Sequence, residues 1–174
     1  MPQTTSPNVS DALYRAAYEF LFTEAEYLDD NEMESWLGLM HEDIEYEVPV
    51  RITRERAAGP GFSDSSWHMQ ETWGSLETRV ARLKTDYAWA EDPPSRMRRC
   101  VTNIRVSPGD AEDTLNVKSN LLLFRSRFDQ TSYQLFFAER RDVLQGADED
   151  WKLRKRVILL DHTTLGTHNL GIFL

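Results

Sequence analysis

Cysteine is the scarcest chemistry in this chain of 174 residues: Cys100 is its single example. No disulfide can close within the chain, which fits a reducing compartment. Structural zinc of the cysteine-rich kind is excluded, and so is an iron–sulfur centre built from two cysteines and two histidines. Basic charge is also in short supply. Lys and Arg number 20 against 29 Asp and Glu, a formal net charge of −9. Nucleic-acid binders need a basic stripe to neutralise phosphates, so the balance argues against that role. No apolar run approaches the roughly 20 residues that span a bilayer. Residues 1–10 lack a basic n-region and an apolar h-region, so they do not read as a signal peptide. They read as a flexible polar arm ahead of one domain, 11–174, in a cytoplasmic protein. A Gly-rich phosphate loop, a Walker pattern and a Gly-x-Ser-x-Gly elbow are all missing.

What is present is a real core: hydrophobic residues make up 40% of the chain and aromatics 11%. Leu13, Ala17, Phe20, Glu24 and Leu28 fall on one stripe at spacings of three and four, which predicts a helix over 11–28 with Ser10 as N-cap. Asn31 followed by Glu34 predicts a capping-box start to a short second helix carrying Met33, Trp36, Leu37 and Met40. The period then changes to two. Ile44, Tyr46, Val48 and Val50 alternate with polar residues as in a half-buried strand, which Pro49 should end or confine to an edge. Residues 51–66, with Gly59, Pro60 and Gly61, read as a surface loop, and 66–84 as a third helix. Segments near 98–106, 114–128, 132–144 and 151–160 are rich in β-branched and aromatic residues, and turn signals separate them. Helices first and long strands later mean an α+β fold with a mainly antiparallel meander. Leu121 to Phe124 is apolar on both faces, so that stretch needs a cover on each side. Cys100, at a strand start, reads as a small buried hydrophobe.

Catalytic groups are sparse. The histidines are His41, His68, His162 and His168, and no pair has the helical spacing that sets two imidazoles side by side for a mononuclear iron site. Acid–base chemistry needs only a His–carboxylate pair in an apolar pocket. His41, His68 and Asp86 are the candidates, with Tyr46, Tyr87 and Trp89 as lining. The plain alternative is that these are surface histidines and core or interface aromatics.

Several stretches together resemble a known family. Glu26-Tyr27-Leu28-Asp29-Asp30, Trp36-Leu37 and the run from Asp43 to Arg51 resemble the opening of the beta subunits of bacterial aromatic-ring-hydroxylating dioxygenases. Trp89 to Arg96, Ala138 to Leu144, Lys155 to Asp161 and the tail from Thr164 to Leu170 match in type and order, and the biphenyl, benzene and cumene branch is the nearest in character. The resemblance implies a cone-like fold of the nuclear transport factor 2 type, with N-terminal helices packed on a strongly curved sheet. It implies a small, structural subunit of a multicomponent enzyme that cis-dihydroxylates aromatic rings. It also implies a self-trimer within an α3β3 assembly. A Rieske [2Fe–2S] cluster and a mononuclear iron would lie in the partner alpha subunit, with electrons from NADH through a reductase. No family motif carries a catalytic, cofactor or metal residue onto this chain. A stand-alone isomerase or dehydratase of the same fold, using a His–Asp pair, is the alternative.

Two expectations concern contacts. Along 132–144, alternation sets Tyr133, Leu135, Phe137, Glu139 and Arg141 on one face and Gln134, Phe136, Ala138, Arg140 and Asp142 on the other. Both faces turn charged toward the end, which suits a rim meeting another subunit. Arg96, Arg98, Glu139, Arg140, Arg141, Asp142, Arg154 and Arg156 are therefore candidate interface residues, and changing Arg140 and Arg141 together to Ala should leave a folded chain that assembles poorly. Leu170 to Leu174 is apolar where free ends are normally polar. Phe173 is expected to be tucked into the sheet or a neighbouring subunit.

Overall fold

The structure is a computed structural model that describes residues 9–55, 59, 61–84, 95–127, 129, 131–147, 150–164 and 171–174. Helix α1 (Asp11–Asp29) starts where Ser10 caps it, its hydroxyl accepting from the Leu13 N–H at 3.3 Å. Its apolar stripe buries Ala17, Phe20, Leu21, Ala25 and Leu28. Helix α2 (Met33–Leu37) is one turn long. The capping box expected from Asn31 and Glu34 does not form. Asn31 takes a left-handed conformation at φ 60°, and Glu32 is the cap position without a side-chain cap bond. The helix ends at its C-cap Gly38, whose N–H bonds the Glu34 oxygen, so Met40 opens strand β1 (Met40–Arg51).

Strand β2 (Phe62–Glu71) occupies sequence expected to be loop and helix. Its inward residues are few, and only Met69 is fully buried, so the apolar alternation that marks a strand is weak. Helix α3 (Trp73–Leu83) consequently starts seven residues late, after a capping box between Thr72 and Ser75. Strands β3 (Arg96–Pro108), β4 (Thr114–Ser126), β5 (Tyr133–Ala147) and β6 (Asp150–Leu160) form the expected antiparallel meander. The six-stranded order is β2-β1-β6-β5-β4-β3, with one parallel pairing, β1 to β6. Pro49 lies in an inner strand, where it is tolerated because the β1–β2 register shifts there.

Two bulges set which side chains face inward. Between β5 and β6 the register slips from Val143↔Lys155 to Leu144↔Leu153, leaving Arg154 extra. Trp151 and Leu153 are buried before the slip, and Arg156, Ile158 and Leu160 after it. An extra residue reverses the alternation. In β3 the slip falls between Thr102 and Arg105, where Asn103 sits at φ 54°. Met97 and Arg99 point inward before it, Ile104 and Val106 after it. Cys100 is therefore exposed, against expectation, because its neighbour Arg99 takes the inward position.

Helices α1, α2 and α3 cover the inner face, with α1 across β3 and α3 against β1. The tail at Ile172, Phe173 and Leu174 is fully buried in the same core, as expected of Phe173.

The candidate functional site: an ionic layer inside and an apolar strip outside

The inner face carries more than hydrocarbon. Glu24, Arg140, Asp142 and Arg156 are all buried there. Asp142 on β5 faces Arg156 on β6 directly across the pairing. Arg156 spends its donors in two forks. Its Nε and Nη2 donate to the two Asp142 carboxylate oxygens at 2.8 and 2.7 Å. Its Nη1 and Nη2 donate to Glu24 Oε1 and Oε2 at 2.5 and 2.8 Å. Arg140 Nη1 reaches Glu24 Oε2 at 3.3 Å, and its Nε donates to the buried Ser119 hydroxyl at 3.3 Å. Trp36 Nε1 donates to Glu24 Oε1 at 3.3 Å.

Two carboxylates thus meet two guanidinium groups, so the layer is neutral. Forked geometry of this kind is what makes a dry ion pair tolerable. Burial by itself would raise the Glu24 carboxyl's pKa, but the Arg156 and Arg140 charges outweigh it and hold it below the ordinary range. Burial weakens the Arg140 proton affinity, and the like charge of Arg156 adds to that. Burial also disfavours charge on Arg156, yet Asp142 and Glu24 more than compensate and hold it firmly protonated. A base that is tied up by two cations, and acids that do not release protons, make a structural lock rather than a proton shuttle.

A second charged pair seats the helix end. Asp29, the last residue of α1, accepts from Arg99 Nη1 at 2.7 Å and from the Arg99 backbone N–H at 3.0 Å. An acid at a helix C-terminus opposes the dipole. Here its partner on β3 explains it.

The tail closes the interior. The Tyr46 hydroxyl donates to the Leu174 main-chain oxygen at 2.7 Å and accepts from the Leu174 N–H at 2.9 Å. Arg99 Nη2 donates to the Phe173 oxygen at 2.7 Å. The Phe173 ring stacks on Trp36 with centroids 4.2 Å apart. Desolvation raises the Tyr46 phenol's pKa, so it stays protonated and able to donate.

The outer face is different. Phe124 on β4 and Tyr133, Leu135 and Phe137 on β5 are exposed, with the Phe124 and Tyr133 rings 5.6 Å apart. Farther along the same face Glu139 bonds Lys118 at 2.6 Å and Arg141 at 2.7 Å. Those two cations hold the Glu139 carboxyl below its ordinary range.

The candidate interface residues divide. Arg140, Asp142 and Arg156 are interior side chains and are not on a rim, because the inner face of β5 stays covered to the strand's end. Arg96 and Arg141 are exposed, Arg98 is exposed beside Asp29, and Arg154, the bulge residue, reaches Asp43 at 3.1 Å. Glu24 escaped notice as a site residue, although a carboxylate in the middle of an apolar helical stripe was the signal. Of the acid–base candidates, Tyr46 belongs to the interior. His41 lies 3.9 Å from Asp43 at the open start of β1, and His68 is half-buried in β2. His162, outside that set, sits edge-on to Phe136. Asp86, Tyr87, Trp89 and His168 lie outside the described residues. Among the described residues no group of three or more His, Cys, Asp and Glu could hold a metal ion.

Fold and site together define a class: an α+β cone whose interior charges neutralise one another and whose outer sheet face carries an apolar strip. Residues 23–167 match the ring hydroxylating beta subunit family, and the chain belongs to that family. It is a small, structural subunit of an aromatic-ring-hydroxylating dioxygenase. It is similar to a chain of naphthalene 1,2-dioxygenase, solved with indole in its active site, at 27% identity and a TM-score of 0.84, over 96% of this chain and 88% of that one. The benzoate 1,2-dioxygenase beta subunit of Burkholderia mallei shares the fold at 21% identity and a TM-score of 0.68, over 88% of this chain and 92% of that one. A Novosphingobium aromaticivorans protein assigned as a scytalone dehydratase shares it at 16% identity and a TM-score of 0.63, over 93% and 95% of the two chains. No helix among the described residues is long and apolar enough to cross a membrane.

Proposed function

We propose that this chain is the trimer-forming base of an α3β3 dioxygenase of the cytoplasm that cis-dihydroxylates an aromatic ring. The alpha subunits resting on it would hold the Rieske [2Fe–2S] cluster and the mononuclear iron, and a reductase would deliver electrons from NADH. A Rieske cluster needs two cysteines, and a mononuclear iron needs a cluster of ligating side chains. The chain has one cysteine, and the described residues hold no cluster of ligating side chains.

The observation that carries the reading is the outer strip of Phe124, Tyr133, Leu135 and Phe137. Among the described residues nothing covers it, although Leu121 to Phe124 reads as needing a cover on both faces. Contiguous apolar surface rimmed by charge marks a subunit contact. Glu139 and Arg141 border the strip on the same face, Arg96 and Arg98 flank it on β3, where Arg98 pairs with Phe124 across the strands, and Arg154 offers a further polar contact elsewhere on the surface.

Coexpression with a large chain bearing paired Cys-x-His and Cys-x-x-His motifs tests it. The expected result is one large complex on sizing chromatography, with iron only when both chains are present. Phe137→Glu should keep the circular dichroism of the parent and lose the complex. A Phe137→Glu chain that assembles like the parent would overturn the strip as the contact.

A further inference from the structure

The buried tail is held the way a binding site holds a peptide. Its main chain is gripped by hydrogen bonds: Phe173 oxygen by Arg99, Leu174 oxygen by Tyr46 and, at 3.4 Å, by Arg156, and Leu174 N–H by the Tyr46 hydroxyl. Its side chains are read by packing and, at Phe173, by a cation over the ring as well. Phe173 lies between the Trp36 ring and the Arg79 guanidinium, whose centre is 5.8 Å from the ring centroid. Backbone bonds supplying affinity and pockets supplying specificity is the general logic of peptide recognition.

Arg99, Arg156, Trp36 and Arg79 are each held by partners other than the tail, while the Tyr46 hydroxyl bonds Leu174 itself. Asp29 fixes Arg99. Glu24 and Asp142 fix Arg156. Glu24 fixes Trp36, and Glu71 fixes Arg79 at 3.0 Å. The anchors Asp29, Glu24, Asp142 and Glu71 come from α1, β5 and β2, so that part of the receptor is assembled by the rest of the fold. The tail adds no charged side chain to it. A preformed receptor loses little entropy when an occupant arrives.

We infer that the cone interior is a peptide-binding site, filled in cis by Ile172–Leu174, which takes a short apolar–aromatic–apolar peptide in trans when the tail is weakened or absent. The inference extends past the assembly role and does not depend on it.

The test uses the full chain with Phe173→Ala, which removes the stacked ring and loosens the tail. The probe is Gly-Ile-Phe-Leu labelled at its N-terminus, followed by fluorescence anisotropy. Saturable binding to the Phe173→Ala chain, at least about tenfold tighter than to the parent, is expected, as that factor is only about 1.4 kcal/mol. Gly-Ile-Ala-Leu should not compete. Adding Tyr46→Phe should weaken binding about tenfold by removing both main-chain contacts of the phenol. A chain lacking residues 171–174 is the second variant, expected to keep its circular dichroism and to gain melting temperature when the peptide is added. Peptide binding to neither variant would overturn the proposal. So would binding indifferent to Tyr46→Phe, or loss of the folded spectrum in both variants, because the receptor would then not exist without its tail.

Discussion

Arg140 and Arg141 are neighbours on one strand and identical in type, yet they live in different media. Arg140 is fully buried, bonded to Glu24 and Ser119. Arg141 keeps 63% of its side chain in water and pairs with Glu139 at 2.7 Å. The strand's pleat separates them, and the helices cover one side only. The inner and outer faces of β4 and β5 repeat this contrast along their length. Inside, charge is neutralised by geometry, and each group depends on every other. Outside, charge is screened by solvent and the apolar residues wait for another surface. The lesson is that an ion pair's worth follows from its surroundings and not from its length, since the buried contact, at 3.3 Å, is the longer of the two.

The hardest test of the contrast is Glu24→Gln. It leaves Arg140 and Arg156 facing Asp142 alone, with one buried positive charge uncompensated. A loss of about 3–5 kcal/mol of stability is expected by urea titration. Arg140→Ala, which strands a carboxylate in place of a cation, should fall in the same range. This replaces the expectation that Arg140 and Arg141 could be truncated together without harm to the fold. A loss below about 1 kcal/mol in either variant would show the interior to be wetter than its burial implies.

Acid should expose the same dependence more gradually. Glu24 has a folded pKa below its ordinary value of 4.5. A depressed carboxyl contributes stability that is fully present above the unfolded value and is lost as pH falls through the lower folded value. Stability should therefore hold above about pH 5 and decline below the ordinary carboxylate range. The acid decline should be shallower in Glu24→Gln than in the parent, measured by denaturant midpoint against pH. Equal slopes would remove Glu24 from the explanation.

The smallest effect sharpens the comparison from the other side. Arg141→Ala removes an exposed pair, a contribution of about 0–1 kcal/mol at most. Its melting temperature should stay close to the parent's, and added salt should shrink the difference further. A loss matching that of Arg140→Ala would erase the distinction between the faces.

How much of this was legible in the residues can be seen element by element. The α1 stripe, the Ser10 cap and the four-strand meander follow from local periodicity, and the structure has them where that periodicity puts them. Strand β2 was hidden because its pairing with β1 is supported by few inward apolar residues. Arg156 was hidden by a bulge. Counting by twos from Leu153 puts Lys155 inward, and only the extra residue at Arg154 brings Arg156 opposite Asp142. Cys100 was read as buried from its residue type, and the pleat of β3, which turns Arg99 inward, leaves it exposed.

Composition, periodicity and the order of motifs by themselves determined the α+β class, the family, the lack of a cysteine-rich metal site and the need to bury the tail. These are properties of adjacent residues, or of what a chain lacks, and no folding is required to read them. The tertiary structure alone decided which charges are interior. That choice rests on strand register, on two bulges, and on a pairing between Glu24 and Arg156 that lie 132 positions apart. Side-chain facing reverses with each inserted residue. A single local slip therefore turns an arginine expected at a subunit rim into the centre of the fold's ionic layer.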